Sequence, residues 1–376
     1  MKQGIRWCMV VFVCVSVYTF SSAQLNNSFF NSSKKNQAVG DFSLSLENLN
    51  YFRNVEYKTL QDEGRTLFGY QFSPELNYQL SDHVQVSAGW WIQRDFGGSG
   101  FYQSIPIYSL QIKKNEHTLR FGNLLGGMQH NLLEPLYDPE RMIENRLENG
   151  FQYVRNTNKL AFDFWIDWQK MIYPYSPFRE EFTLGIVAQP YLLNSARQTL
   201  SLPVQILAFH KGGEIDTSHQ RTISMFNFNY GVRYQFKPHN SNIDSVEVQA
   251  NLLYYEDIST IPENFIDGLG QMFSASIYFK KYYGLMLNYW DAHQFQGPSG
   301  DVIFQSVSAQ NPMLYTTHYR KLAMLRVFYQ RDVAKDLRFA LRANYMYDIN
   351  KSTQDVVAEF YFRWTPQFKI ANVQTL

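Results

Sequence analysis

Between residues 67 and 80 the chain alternates, with Phe68, Tyr70, Phe72, Leu76, Tyr78 and Leu80 on one parity and Gln71, Ser73, Glu75, Asn77 and Gln79 on the other. Successive side chains of a strand point to opposite faces, so this stretch predicts a strand with one apolar and one polar face. The period of two returns as far as Trp364 in runs of about nine to fourteen residues, the length a tilted strand needs to cross a bilayer. Strands are predicted near 42–52, 67–80, 83–94, 101–113, 116–124, 150–155, 160–168 and 180–188, then near 198–210, 223–237, 245–256, 269–280, 283–292, 313–331, 336–347 and 355–364. The connections alternate between long and short, the rhythm of a barrel with outer loops and periplasmic turns. The expected fold class is therefore all-β: a transmembrane, antiparallel, up-and-down β-barrel of about 16 strands. Counts of about 14 to 18 stay open, because prolines fall within 180–210 and Arg320-Lys321 falls within 313–331.

Parity also assigns faces. Leu337, Phe339, Leu341, Ala343, Tyr345 and Tyr347 are expected to meet lipid, with Arg338, Arg342 and Asn344 inward. In the last strand Val356, Ala358, Phe360, Phe362 and Trp364 form the outward set, and Glu359 and Arg363 point inward. A soluble β-sandwich alternates too, but an outward face this rich in Tyr and Phe would aggregate in water.

Composition agrees with a barrel. Apolar residues make up 45% of the chain and aromatics 17%, yet after the N-terminal stretch no apolar run approaches the roughly 20 residues of a membrane helix. Lys2 and Arg6, the apolar run Trp7 to Val17 and the small residues Ser21-Ser22-Ala23 read as a secretory signal peptide cleaved before Gln24. The expected organisation is a signal peptide at 1–23, a short N-terminal segment at 24–40, the barrel at 41–364 and a C-terminal tail at 365–376. Export to the outer membrane of a Gram-negative cell follows. Both cysteines, Cys8 and Cys14, leave with the leader, so no disulfide is expected. Losing Lys2 and Arg6 takes the 34 basic residues to 32 against 33 acidic ones, a balance that gives no reason to expect nucleic acid as a partner.

A barrel of about 16 strands encloses more space than its own side chains fill, so an aqueous channel is expected unless something plugs it. The inward charges are mixed: Glu75, Asp163, Asp167, Glu247 and Glu359 against Arg233, Arg338, Arg342 and Arg363. With neither sign dominant, weak ion selectivity is expected. Arg338, Arg342 and Arg363 suggest a basic ladder for anionic solutes, or else pairing with Glu359 across the strands. Trp91, Trp165 and Trp290 also fall on inward parity, which favours a partly filled lumen. The connection 125–149 is the candidate constriction. Asp138 as N-cap and Pro139 after it predict a helix to Asn149, with Glu140, Glu144 and Glu148 as an acidic ridge and Arg141 and Arg146 beside it. Such a loop either folds into the lumen or stands in solvent.

Catalysis is not expected from motifs. The eight histidines are scattered singly over strands and loops, Gly97-Gly98-Ser99-Gly100 reads as a flexible connection, and no Gly-x-Ser-x-Gly elbow or metal-ligand spacing occurs. Ser, His and acid far apart in sequence can still converge in space. No cofactor or metal is expected.

Arg120-Phe121-Gly122-Asn123, Glu134-Pro135, Asp138-Pro139-Glu140-Arg141 and Glu148-Asn149-Gly150, with Tyr289-Trp290-Asp291 and the Gly-rich loop Gly297 to Asp301, give the chain a resemblance. It resembles the porin-like outer-membrane barrels of Bacteroidota, in the style of phosphate-selective and alginate-export porins. That resemblance implies passive diffusion of small hydrophilic solutes through a barrel whose partner is outer-membrane lipid. A homotrimer is common at this size. The alternatives are a plugged or narrow barrel that binds a partner through its loops and, less favoured, an outer-membrane hydrolase. The resemblance departs at the end, since Thr365 to Leu376 follow the terminal aromatic Trp364. This tail is expected to re-enter the lumen, lie in the periplasm or form part of the closing strand.

Overall fold

The computed structural model describes residues 28–31, 37–59, 61–239, 242–308 and 316–373. The expected signal peptide lies outside them. Eighteen strand segments run in chain order: β1 Asp41–Glu56, β2 Arg65–Gln79, β3 Val84–Asp95, β4 Gln103–Lys114, β5 His117–Asn123, β6 Asn149–Asn156, β7 Leu160–Lys170, β8 Glu180–Asn194 and β9 Gln198–Ser201. They continue as β10 Val204–Gly212, β11 Ile223–Phe236, β12 Ile243–Asp257, β13 Asp267–Phe279, β14 Tyr283–His293, β15 Tyr319–Ala334, β16 Leu337–Asp348, β17 Thr353–Trp364 and β18 Gln367–Asn372.

Two of these segments are continuations. β9 and β10 both lie between β8 and β11 and are parted at Leu202-Pro203, where proline removes a ladder donor. β17 and β18 are parted at Pro366, whose carbonyl still accepts from the Leu46 amide at 3.0 Å. Counted as single strands, they give a closed antiparallel barrel of 16 strands, with β1 between β2 and the β17–β18 strand. The tail thus supplies the end of the closing strand. The predicted strand at 313–331 begins at Tyr319 instead, and Arg320-Lys321 lie within it without a break.

Burial follows the predicted parity. Along β16, Leu341, Ala343, Tyr345 and Tyr347 are exposed to the lipid side, while Arg342, Met346 and Asp348 are buried in the lumen. Along β17, Val356, Ala358, Phe362 and Trp364 face out and Glu359 and Arg363 face in. The lumen is a packed core. Trp91, Trp165 and Trp290 are all buried there, two of them laid over glycines on neighbouring strands. A Cβ on Gly185, the register partner of Trp165, would stand 2.0 Å from the indole, and one on Gly270 would stand 2.2 Å from that of Trp290. Glycine makes room for a large inward ring where any side chain would collide with it.

The loop between β5 and β6 completes the filling. Leu133, Leu136, Tyr137, Met142 and Ile143 are buried in one cluster with wall residues of β1, β7, β10, β12, β14 and β15. The loop therefore lies in the lumen and not in solvent. Its predicted helix shrinks to one turn, Arg141–Glu144. Asp138 caps the Glu140 amide (2.8 Å) but ties its own N–H to Ser299 of the β14–β15 loop. Farther along, Glu148 is drawn to His130, so the chain leaves helical geometry at Asn145. The acidic ridge is accordingly divided: Glu140 and Glu144 meet Arg65, and Glu148 turns away from them.

The two long outer loops also hold each other. Asp301 N–H donates to the Glu134 carbonyl at 2.9 Å, and Gly297 and Gly300 sit so close that a Cβ on either would fall within 2.3 Å of the Pro135 carbonyl oxygen.

Candidate active site

Most predicted lumen charges are partnered. Arg233 makes a two-point contact with Glu247 (2.6 and 2.8 Å). Asp163 accepts from Gln152, and Asp167 accepts from the Asn149 amide at 2.8 Å. Glu75 is half-buried on the inner wall of β2. The expected arginine ladder does not form. Arg338 is an exposed rim residue paired with Asp332, Arg363 is bound to Glu47 and to the carbonyls of Phe29 and Asn31, and Arg342 stacks over the Phe30 ring at 4.9 Å. Glu359 is taken by Arg53 of β1, its register partner once the barrel closes.

Wall residues the sequence did not single out hold the plug. Arg326 of β15 grips Glu134 with both terminal nitrogens, one contact at 2.6 Å, and Arg53 binds Glu140 at 2.8 Å. Gln205 accepts from Leu133 N–H and donates to the Asn131 carbonyl, while Gln71 donates to the carbonyls of Met142 and Ile143. Arg146 reaches Gln71 and Glu47, and Arg141 lies over the Tyr137 ring at 5.1 Å. These anchors sit on β1, β2, β10 and β15, around the circumference.

His130 is the loop's deepest ionisable group. Its ring stacks on Trp165 at 3.6 Å between Glu148 (Nε2 to Oε2, 2.6 Å) and Asp163 (Nδ1 to Oδ2, 2.8 Å). Burial opposes its charge, but the carboxylates of Glu148 and Asp163 outweigh that and hold its pKa up to about 10. Burial, with Glu134 alongside, pushes Asp301 up to about 7.

Both shifts give stability the same pH dependence. The His130 contribution is fully present below pH 6.5, the ordinary histidine value, and is lost as pH rises through about 10. Asp301 keeps a proton that the unfolded chain releases from 3.8 upward, so stability also falls from there to about 7. Glu148, held to about 2 by His130 against the cost of burial, acts oppositely but only below 4.5. Thermal melting is thus expected to be highest near the acid side of neutrality and to fall toward pH 10. An unchanged melting temperature across that range would rule this account out.

A second constellation lies on the outside of the wall. On β8, β10 and β11 the outward parity is apolar, Leu184 and Ile186, Ile206 and Ala208, Phe226 and Phe228, until the ends of the strands nearest the long loops. There it turns polar. Ser224 Oγ lies 2.9 Å from His210 Nδ1, its direct cross-strand partner, and Glu180 Oε1 lies 3.9 Å from His210 Nε2. Glu180 is the register partner of Gly212, and the bare glycine leaves the space between acid and imidazole unobstructed. Phe182 packs on the His210 ring (5.0 Å between centroids) and stacks on Trp168 (4.9 Å), an aromatic belt at the membrane boundary. The His210 and Glu180 side chains retain about a quarter of their surface, 28% and 23%. Above them the loops 171–179 and 213–222 are joined by Tyr175 N–H to the Ile215 carbonyl (2.9 Å).

Serine, imidazole and carboxylate in this order are the parts of a nucleophilic ester hydrolase. The sequence signal was available: Glu180, His210 and Ser224 are polar residues on lipid-facing parity. No linear motif joins them.

Comparison with known proteins adds the decisive observation. The family model for the lipid A 3'-O-deacylase type matches residues 32–373, nearly the whole described chain. The chain belongs to that family. Its fold is shared with the outer membrane protein OprD of Pseudomonas aeruginosa, at 11% identity and a TM-score of 0.53, over 95% of this chain and 100% of that one. It is also similar to the anion-selective porin of Comamonas acidovorans (10% identity, TM-score 0.51, 87% and 100% covered) and to a loop-deletion form of OmpT from Vibrio cholerae (10%, 0.52, 86% and 100%). Among curated proteins no sequence matches. At such identities the porins establish the barrel architecture alone. The motifs that resembled phosphate-selective and alginate-export porins remain a likeness.

Proposed function

We propose that this family member is an outer-membrane enzyme that cleaves an acyl ester of a lipid A-type glycolipid in the outer leaflet. The observation that carries the proposal is the Ser224–His210–Glu180 arrangement on the lipid-facing wall at the loop end of the barrel, where an acyl ester of that leaflet would lie. The packed lumen supports it, because a barrel filled by its own loop is poorly suited to bulk diffusion.

Ser224 Oγ attacks the ester carbonyl carbon as His210 Nδ1 takes its proton. The tetrahedral adduct collapses, the C–O bond to the sugar breaks, and His210 returns the proton to the departing alkoxide. Water, deprotonated by His210, then releases the fatty acid and restores Ser224. Glu180 stabilises the transient imidazolium and orients the ring from its other nitrogen. Trp168 and Phe182 offer the acyl chain an apolar surface.

Passive diffusion of small hydrophilic solutes, weakly ion-selective, is a second proposal. A cavity of about 580 Å³ at the periplasmic end of the lumen and the fold shared with porins favour it. Homotrimeric assembly belongs with it, since a trimer form of OmpT, of TM-score 0.50, has the same fold.

The test is mass spectrometry of lipid A incubated with the refolded full chain in mixed micelles. Loss of one acyl group with release of the free fatty acid is expected. Unchanged lipid A with folded protein would overturn the enzymatic proposal.

A further inference from the structure

We infer that Ser259, in the loop between β12 and β13, is a positioning residue for the proposed hydrolysis, an inference that rests on the hydrolytic reading of Ser224. Ser259 holds the main chain of Ser224 so that the Ser224 hydroxyl meets His210.

The need for such a residue follows from the register. Ladder pairing between β11 and β12 begins at Met225, opposite Asp257, so Ser224 stands one residue beyond it. Its main-chain groups are nevertheless both bonded on that side. The Ile258 N–H donates to the Ser224 carbonyl at 2.9 Å, and the Ser224 N–H donates to Ser259 Oγ at 2.9 Å. The N–H and C=O of one strand residue point to the same neighbour, so Ser224 offers neither group to β10. Its pairing with His210 is therefore the non-hydrogen-bonded kind, in which facing Cα atoms come to roughly 4.5 Å instead of about 5.5 Å and side chains are closest. That narrow pair brings a short serine side chain to 2.9 Å from His210 Nδ1.

Ser259 is itself fixed. Asp257 is buried in the wall and accepts from the Ser259 N–H with one carboxylate oxygen and from the Glu263 N–H with the other, both at 2.9 Å. Arg221, from the loop that leads into Ser224, reaches the Ile261 carbonyl and the Glu263 carboxylate, each at 3.2 Å. The loop 258–266 thus clasps residues 221 and 224. Within that clasp Ser259 holds Ser224 through its side chain, so a substitution removes this contact and leaves the Ile258 main-chain bond in place. Ser259 acts through Ser224, and its loss should slow the chemical step without weakening the binding of glycolipid.

The experiment compares Ser259→Ala, Ser259→Thr and Ser259→Val in the refolded full chain in mixed micelles, with heat-modifiable gel mobility as the check of folding. Threonine keeps the hydroxyl, and valine keeps the shape of threonine without it. The first readout needs no turnover: the nitrogen NMR signal of His210 Nδ1 in histidine-labelled protein, assigned by its loss in His210→Gln. The alanine and valine variants should move that signal toward its position in Ser224→Ala, and the threonine variant should leave it in place. The second readout is the kinetics on lipid A. With alanine or valine kcat should fall by about fivefold to a hundredfold, the range between one net hydrogen bond and a 1 Å misplacement of a reacting group, at unchanged KM. Ser259→Thr should restore kcat. A wild-type signal and kcat in Ser259→Ala, or a loss in Ser259→Thr as deep as in Ser259→Val, would overturn the inference. If the wild type releases no fatty acid while the His210 signal follows the hydroxyl, the hydrolytic reading fails and the positioning of Ser224 stands.

Discussion

Ser224→Ala is expected to reduce release of fatty acid from lipid A by roughly a thousandfold or more, the scale on which nucleophile removal acts in serine hydrolases. The expectation follows from position: Ser224 Oγ is a hydroxyl 2.9 Å from an imidazole nitrogen on the lipid-facing wall. His210→Ala should cost about as much, and the double variant little more than either, because nucleophile and base act as one unit. Glu180→Gln should cost less, since its 3.9 Å contact orients and stabilises without touching the substrate. All three side chains lie outside the packed lumen, so the variants should keep wild-type melting temperatures. Initial rates by mass spectrometry on folded protein decide the matter. Full activity in Ser224→Ala would remove the wall site from the mechanism and direct attention to the plug.

Much of the barrel was readable because a strand repeats every two residues, and a lipid-facing wall makes that repeat visible. Leu341, Ala343 and Tyr345 had to be apolar whatever the barrel encloses. Inward positions obey no such rule, and there the sequence was less informative. Glu359 was expected to pair with Arg338, Arg342 or Arg363 of the last strands; barrel closure gives it Arg53, more than 300 residues away in the chain. The prolines within 180–210 made one strand look doubtful and the aromatic Trp364 made the final strand look finished, although pairing to β8 and β11 continues on either side of Pro203 and pairing to β1 continues past Trp364. The helix expected from Asp138 onward is a local preference overridden by tertiary contacts to Ser299 and His130. The wall site was hidden differently. Its three residues sit on three strands and obey parity without obeying polarity, and a scan for motifs along the chain cannot see that.

Arg326→Met should open the barrel. In the native chain the Arg326 guanidinium and the Glu134 carboxylate are both buried and bound to each other. Removing the arginine leaves an uncompensated buried carboxylate, which typically costs about 3–5 kcal/mol, whereas replacing both charges with neutral groups is often tolerated. The burden falls on the loop 124–148 before the barrel, because Glu134 is carried by the loop and the strands retain their ladders. In planar bilayers the wild type is expected to be nearly silent, Arg326→Met to show discrete conductance steps, and Glu134→Gln with Arg326→Met to fall silent again. Limited proteolysis should cut within 124–148 in the single variant alone. Arg338→Met serves as the contrast: its pair with Asp332 is exposed at the rim, where ion pairs contribute little, and it should change neither readout. If Arg326→Met stays silent and resists protease like the wild type, apolar packing of Leu133, Leu136 and Ile143 holds the plug without help from the ion pair, and the lumen is closed by its core.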